Sequence, residues 1–140
     1  MENKYKIFLL GGNSLIGNSI LNGLKQRYEN NETVLVVRTE KNFSADQIKV
    51  QNYRDYLDQI DRHLDPDSKN IFILSFGILN EESSANNLLD NLTEHININS
   101  YEKLFLFNKL KNIKNFHEIH IVSSILSGFF RPSIGSYSIS

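Results

Sequence analysis

Residues 9–17 read LLGGNSLIG, and three glycines, an asparagine and a serine fall where an apolar run gives way to an amphipathic one. Gly11 and Gly12 let a backbone turn tightly and approach a ligand without Cβ interference. Gly17 permits close helix–strand packing. The N-terminus of the helix that follows offers free N–H groups and a partial positive charge, which suit a phosphate. Ser14 either caps that helix or bonds the phosphate, and Asn13, Leu15 and Ile16 complete the turn. Placed after the first strand of a βαβ unit, this loop is expected to bind a dinucleotide; a purely structural tight turn is the competing reading. The second strand ends in VVRT. An acidic residue there would hold the ribose hydroxyls of NAD. Arg38, with Thr39 beside it, suits a 2′-phosphate instead, so NADP is the expected cofactor and NAD the alternative. A surface arginine at a strand end is the plain reading of Arg38.

The elements that must position these residues follow from hydrophobic periodicity. YKIFLL is a strand-length apolar run. Residues 14–28 place Leu15, Ile16, Ile20, Leu21 and Leu24 along one helical face. ETVLVVR is a second strand, rich in β-branched residues, and QIKVQ a weaker third. RDYLDQIDRHL has helical spacing at Tyr56, Leu57, Ile60 and Leu64, and Pro66 stops it. NIFILSFG is a continuous apolar strand ending at Gly77. Residues 84–112 carry a long helical pattern, HEIHIVSS is the fifth strand, and ILSGFFRPSIG is a loop. Strands buried on both faces and separated by helices imply an α/β fold, a Rossmann-type doubly wound parallel sheet of order 3-2-1-4-5. No repeat or linker divides residues 1–140, which are expected to form one domain, an incomplete NAD(P)-binding domain ending after the fifth strand.

Composition removes other classes. The chain has 140 residues, a net charge of −1 and no cysteine. That balance offers nothing to nucleic acid or a membrane surface, and disulfides and thiolate metal sites are excluded. No apolar stretch is long enough for a bilayer or a signal peptide, so a cytoplasmic protein is expected. Strand alternation puts His117 and His120 on opposite faces, so no metal is assigned to them.

The glycine turn, Gly77 after the fourth strand, HININS and VSS…YSIS occur in the order of the short-chain dehydrogenase/reductase family, which the chain resembles over all its residues but over only the first half of a family member. The loop GGNSLIG is shorter than the family's usual one and is similar to a divergent branch reading GG-x-S-x-I-G. SFG stands where the family has Asn-Ala-Gly, and only Gly77 matches. Asn97 resembles the family's helix asparagine. Ser124 precedes Tyr137 by thirteen positions, the family's common spacing, with Ser123 the runner-up. The family carries its tyrosine in Y-x-x-x-K, and Tyr137 to Ser140 fill the first four places. The resemblance therefore implies an N-terminal fragment, inactive alone, of an enzyme that reduces a small-molecule carbonyl, of keto-sugar type, or oxidises the alcohol, with a homodimeric or homotetrameric parent.

The resemblance implies hydride transfer between a nicotinamide and a carbonyl or alcohol, with Ser124, Tyr137 and Asn97 catalytic. A Ser124 hydroxyl can stabilise charge growing on a carbonyl oxygen. A Tyr137 phenol can deliver the proton, provided a nearby ammonium lowers its pKa from about 10. Phe129, Phe130 and Arg131 would border substrate. Two other readings stay open: a non-catalytic NAD(P)-binding regulator on the same fold, and a nucleotide-sugar epimerase or dehydratase. Fold alone does not choose among them.

Overall fold

The computed structural model describes residues 2–38, 47–77 and 92–122. Five strands, β1 (Lys4–Leu10), β2 (Asn31–Arg38), β3 (Gln47–Val50), β4 (Ser68–Leu74) and β5 (Phe116–Ile121), form one parallel sheet in the order β3-β2-β1-β4-β5. Helix α1 (Leu15–Arg27) connects β1 to β2, and helix α2 (Glu102–Leu110) precedes β5. Parallel neighbours require crossovers, and right-handed ones carry the elements onto both faces of the sheet.

Burial explains why the middle strands lack polar alternation. Ile7 to Leu10 on β1 and Ile71 to Leu74 on β4 are all fully buried, because both faces of the sheet are covered. On one face Ile7, Leu9, Ile71 and Ile73 pack with Leu21 and Leu24 of α1. On the other, Phe8, Leu10, Phe72 and Leu74 pack with Tyr53, Tyr56 and Ile60, and with Leu106 and Leu110 of α2. Both layers bring the carboxyl ends of β1, β2 and β4 to one edge, where the glycine turn leaves β1.

Three local expectations are corrected. Leu15 is 88% and Ile16 60% exposed, so neither joins the buried face of α1, which begins at Gly17 and continues through Leu21 and Leu24. Their exposure follows from their place in the first turn, which projects past the sheet edge. The segment expected to be a helix around Tyr56 is two 3-10 turns, Tyr53–Asp58 and Ile60–Arg62. An Asn52 and Asp55 capping box starts it, but Tyr56 and Ile60 reach the sheet from so short a connection that a longer α-helix is not needed.

The third correction concerns β5. A register shift lets Asn70 pair with Phe116 and Ile71 with Glu118, leaving His117 as the extra residue of a bulge. Strict alternation fails there. His117 reaches the α1 side, with Nε2 3.3 Å from the Tyr28 hydroxyl. His120 pairs with Ile73 on that same side, with Nε2 3.3 Å from Glu118 Oε1. The two histidines thus share a face, although no trio of His, Asp or Glu among the described residues is close enough to hold a metal.

Candidate functional site: a cleft at the carboxyl edge of the sheet

The glycine turn is built by backbone bonds. Gly11 and Gly12 both donate to the Val36 carbonyl, at 2.9 and 3.1 Å, which ties the turn to β2. Gly11 has φ +103°, open to glycine and strained for other residues. A Cβ on Gly11 would also lie 2.8 Å from Ser75 Oγ, so β4 leaves no room for one. Ser14 caps α1, its Oγ accepting from Gly17 N–H at 3.0 Å.

The cap leaves donors over. The Asn18 N–H goes to the Ser14 carbonyl, whereas the N–H groups of Leu15 and Ile16 meet no acceptor among the described residues. Two backbone donors therefore stand open at a helix N-terminus, beside exposed side chains, in the arrangement that receives an anion.

A cleft of about 270 Å³ opens at this edge. Gly11, Asn13 and Ser14 form its floor, Val37 and Arg38 one side, and Ser75, Phe76 and Gly77 the other. Tyr53 closes the back, its ring stacked on Phe76 with centroids 4.2 Å apart. The combination of backbone donors, a guanidinium and an aromatic wall fits phosphates and planar rings, as a dinucleotide presents.

The expected residues divide by position. Gly11, Asn13, Ser14, Arg38 and Gly77 meet at the cleft. Gly12 and Gly17 stand behind it: added Cβ atoms would lie 2.9 Å from Val37 Cγ1 and 2.3 Å from Ser75 Oγ respectively. Leu15 and Ile16, at the start of α1, do not line the cleft, and their side chains are exposed. Asn97 lies elsewhere, in a polar groove with Asn52, Arg54 and Glu102. Thr39, Ser123, Ser124, Phe129, Phe130, Arg131 and Tyr137 lie outside the described residues.

Four residues had not been singled out. Asn18 donates through Nδ2 to the carbonyls of Gly12 and Ser14, both at 2.8 Å, and so locks the turn to α1. Its signal was its place four residues after Ser14. Ser75 Oγ donates to the carbonyls of Leu10 and Gly11 at 3.2 Å, clamping the turn to β4. Asn99 comes against Gly77, with Oδ1 3.0 Å from the position of an added Cβ, and Lys103 lies 4.0 Å from the same position. A π-helical turn over Ile96–Tyr101, in which Glu102 N–H donates to Asn97 O, changes the phase of the helix there. That phase change, invisible to a 3.6-residue count, turns Asn99 rather than Asn97 toward the strand ends.

No family profile matches the sequence, and no curated protein does. Solved structures do. A short-chain dehydrogenase family protein from Francisella tularensis subsp. tularensis SCHU S4 superposes with a TM-score of 0.68 at 16% identity, over 97% of this chain and 57% of that one. A short-chain dehydrogenase/reductase family protein gives 0.67 at 16% identity, over 99% of this chain and 63% of that one. The chain spans about three-fifths of the length of these proteins. With its five-stranded parallel sheet and glycine turn, it has the Rossmann-type fold of the short-chain dehydrogenase/reductase proteins.

Proposed function

We propose that this chain is the nucleotide-binding part of an oxidoreductase that uses NADP(H), in preference to NAD(H), to interconvert a carbonyl and an alcohol. One observation carries the reading: Arg38 and Ser14, the N-cap of α1, line a single cleft. The N–H groups of Leu15 and Ile16 would hold the diphosphate, Arg38 the 2′-phosphate, and Tyr53 and Phe76 an aromatic surface beside it. The nicotinamide supplies hydride when bound. Ser124 and Tyr137 are proposed to hold the carbonyl oxygen and to move its proton, and Asn97 or Asn99 to order the surrounding polar groups. The nearness of Asn99 to Gly77 supports Asn99 in that role. The same reading makes the protein cytoplasmic, and a dimer or tetramer in its longer form.

The cofactor reading is tested by titrating the 140-residue chain with NADPH and NADH in a calorimeter. NADPH binds about tenfold or more tightly, since a charge-assisted guanidinium–phosphate pair contributes about 1.5–3 kcal/mol. Arg38→Ala removes about ten- to a hundredfold of NADPH affinity and leaves NADH within about twofold. Equal affinity for the two cofactors in the wild type contradicts the NADP assignment, and no binding of either contradicts the dinucleotide site.

A further inference from the structure

Lys103, in the first turn of α2, is only 9% exposed. Its Nζ donates to the Val122 carbonyl at 2.9 Å, just past the end of β5. It stands 5.6 Å from the centre of the Phe76 ring, and 4.0 Å from where a Cβ on Gly77 would be. Among the described residues no carboxylate pairs with it. The adjacent Glu102 accepts from the Arg54 backbone N–H instead. Burial alone lowers the pKa of Lys103 from the ordinary lysine value, and no titratable group on β4, β5 or its own helix adds to that shift. Holding an ammonium out of water with no carboxylate beside it among the described residues is unfavourable, and a methionine would fill the same space. Apart from the bond to the Val122 carbonyl, packing does not account for an amine here.

The order of the strands gives it a use. With the 2′-phosphate at Arg38 after β2 and the diphosphate at α1 after β1, a dinucleotide would run along the edge toward β4. Its nicotinamide end would then be directed at β4 and β5, where Lys103 lies near Gly77. We propose that Lys103 sets the redox-state preference of the cleft: its buried positive charge disfavours the cationic oxidised nicotinamide and favours the neutral reduced one. This rests on the dinucleotide reading above and deepens it. The bias loads the form of cofactor that a carbonyl reduction consumes.

Calorimetric titration of the 140-residue chain with NADPH and NADP+ tests it. The wild type prefers NADPH by about tenfold, the size of a like-charge repulsion across a partly buried gap. Lys103→Met reduces that preference to about twofold, by tightening NADP+ rather than weakening NADPH, and Lys103→Arg keeps it. A packing role would weaken both nucleotides together. A Lys103→Met chain that binds both with the wild-type ratio overturns the inference and leaves the dinucleotide site standing. A wild type that binds neither overturns the site, and this inference with it. If Lys103→Met does not fold, the wild type decides alone, at alkaline pH in buffers of different ionisation enthalpy. NADP+ binding then releases a proton from the amine and NADPH binding does not; equal release for the two overturns the inference.

Discussion

Gly17 and Gly23 lie in the same helix and respond to the same substitution with opposite signs. A Cβ on Gly17 would lie 2.3 Å from Ser75 Oγ and 2.9 Å from Leu9 Cδ1, where α1 crosses the sheet. Gly17→Ala is expected to cost about 1–3 kcal/mol by overpacking. A Cβ on Gly23 meets nothing within 4 Å, so Gly23→Ala stabilises by about 0.5–1 kcal/mol through helix propensity. Urea denaturation of both variants checks the pair; equal effects would contradict the close crossing. Lys103 makes a second residue-scale prediction. Its folded pKa is lowered by burial, so between that pKa and the ordinary lysine value the unfolded chain binds more protons. Stability therefore rises as pH rises through this window, and the rise is absent in Lys103→Met. Denaturation midpoints of the two proteins across alkaline pH provide the difference.

At the scale of elements, the connection from α2 into β5 depends on Asn115, a non-glycine residue with positive φ, at 60°. Asparagine tolerates this conformation better than other side chains. Its Nδ2 donates to the Pro66 carbonyl at 2.7 Å, and its own carbonyl accepts from Asn70 N–H at 2.8 Å. Asn115→Ala keeps the backbone bond but adds strain and loses the side-chain bond, for a cost of about 1–2 kcal/mol. Thermal unfolding monitored by circular dichroism measures it; an unchanged midpoint would refute the strain. The same connection delivers the chain to the β5 bulge, which places His117 and His120 together.

At the scale of the molecule, the cleft lies across three strands and two loops, so ligand binding should stabilise the whole sheet. NADPH at about a hundredfold excess over its wild-type Kd adds about 2.7 kcal/mol, and a raised unfolding temperature is the expected result, with a smaller rise, worth about 0.4–1.4 kcal/mol, for Arg38→Ala at the same concentration. An unshifted wild type would count against the site. Ile96, Tyr101 and Leu104 are exposed along the helical segment that carries Asn99 and Lys103. No helix among the described residues is long and apolar enough to cross a membrane.

The strand order and the glycine turn were legible in the sequence because continuous apolar runs such as KIFLL and IFIL can only be satisfied between two covered faces. The turn was legible because three glycines at a strand–helix junction have few other uses, and Arg38 because a strand end places it at the same edge. Tertiary structure decided what depends on phase and contact. A π-helical turn precedes α2, with Asn99 against Gly77 and Asn97 in the groove with Asn52, Arg54 and Glu102, and a bulge moved His117 across the sheet. The chain's own packing enclosed Lys103, which sequence shows only as a charged residue in a helix. The first two turn on a one-residue change of register, which leaves composition and average periodicity unaltered while redirecting the side chains that follow.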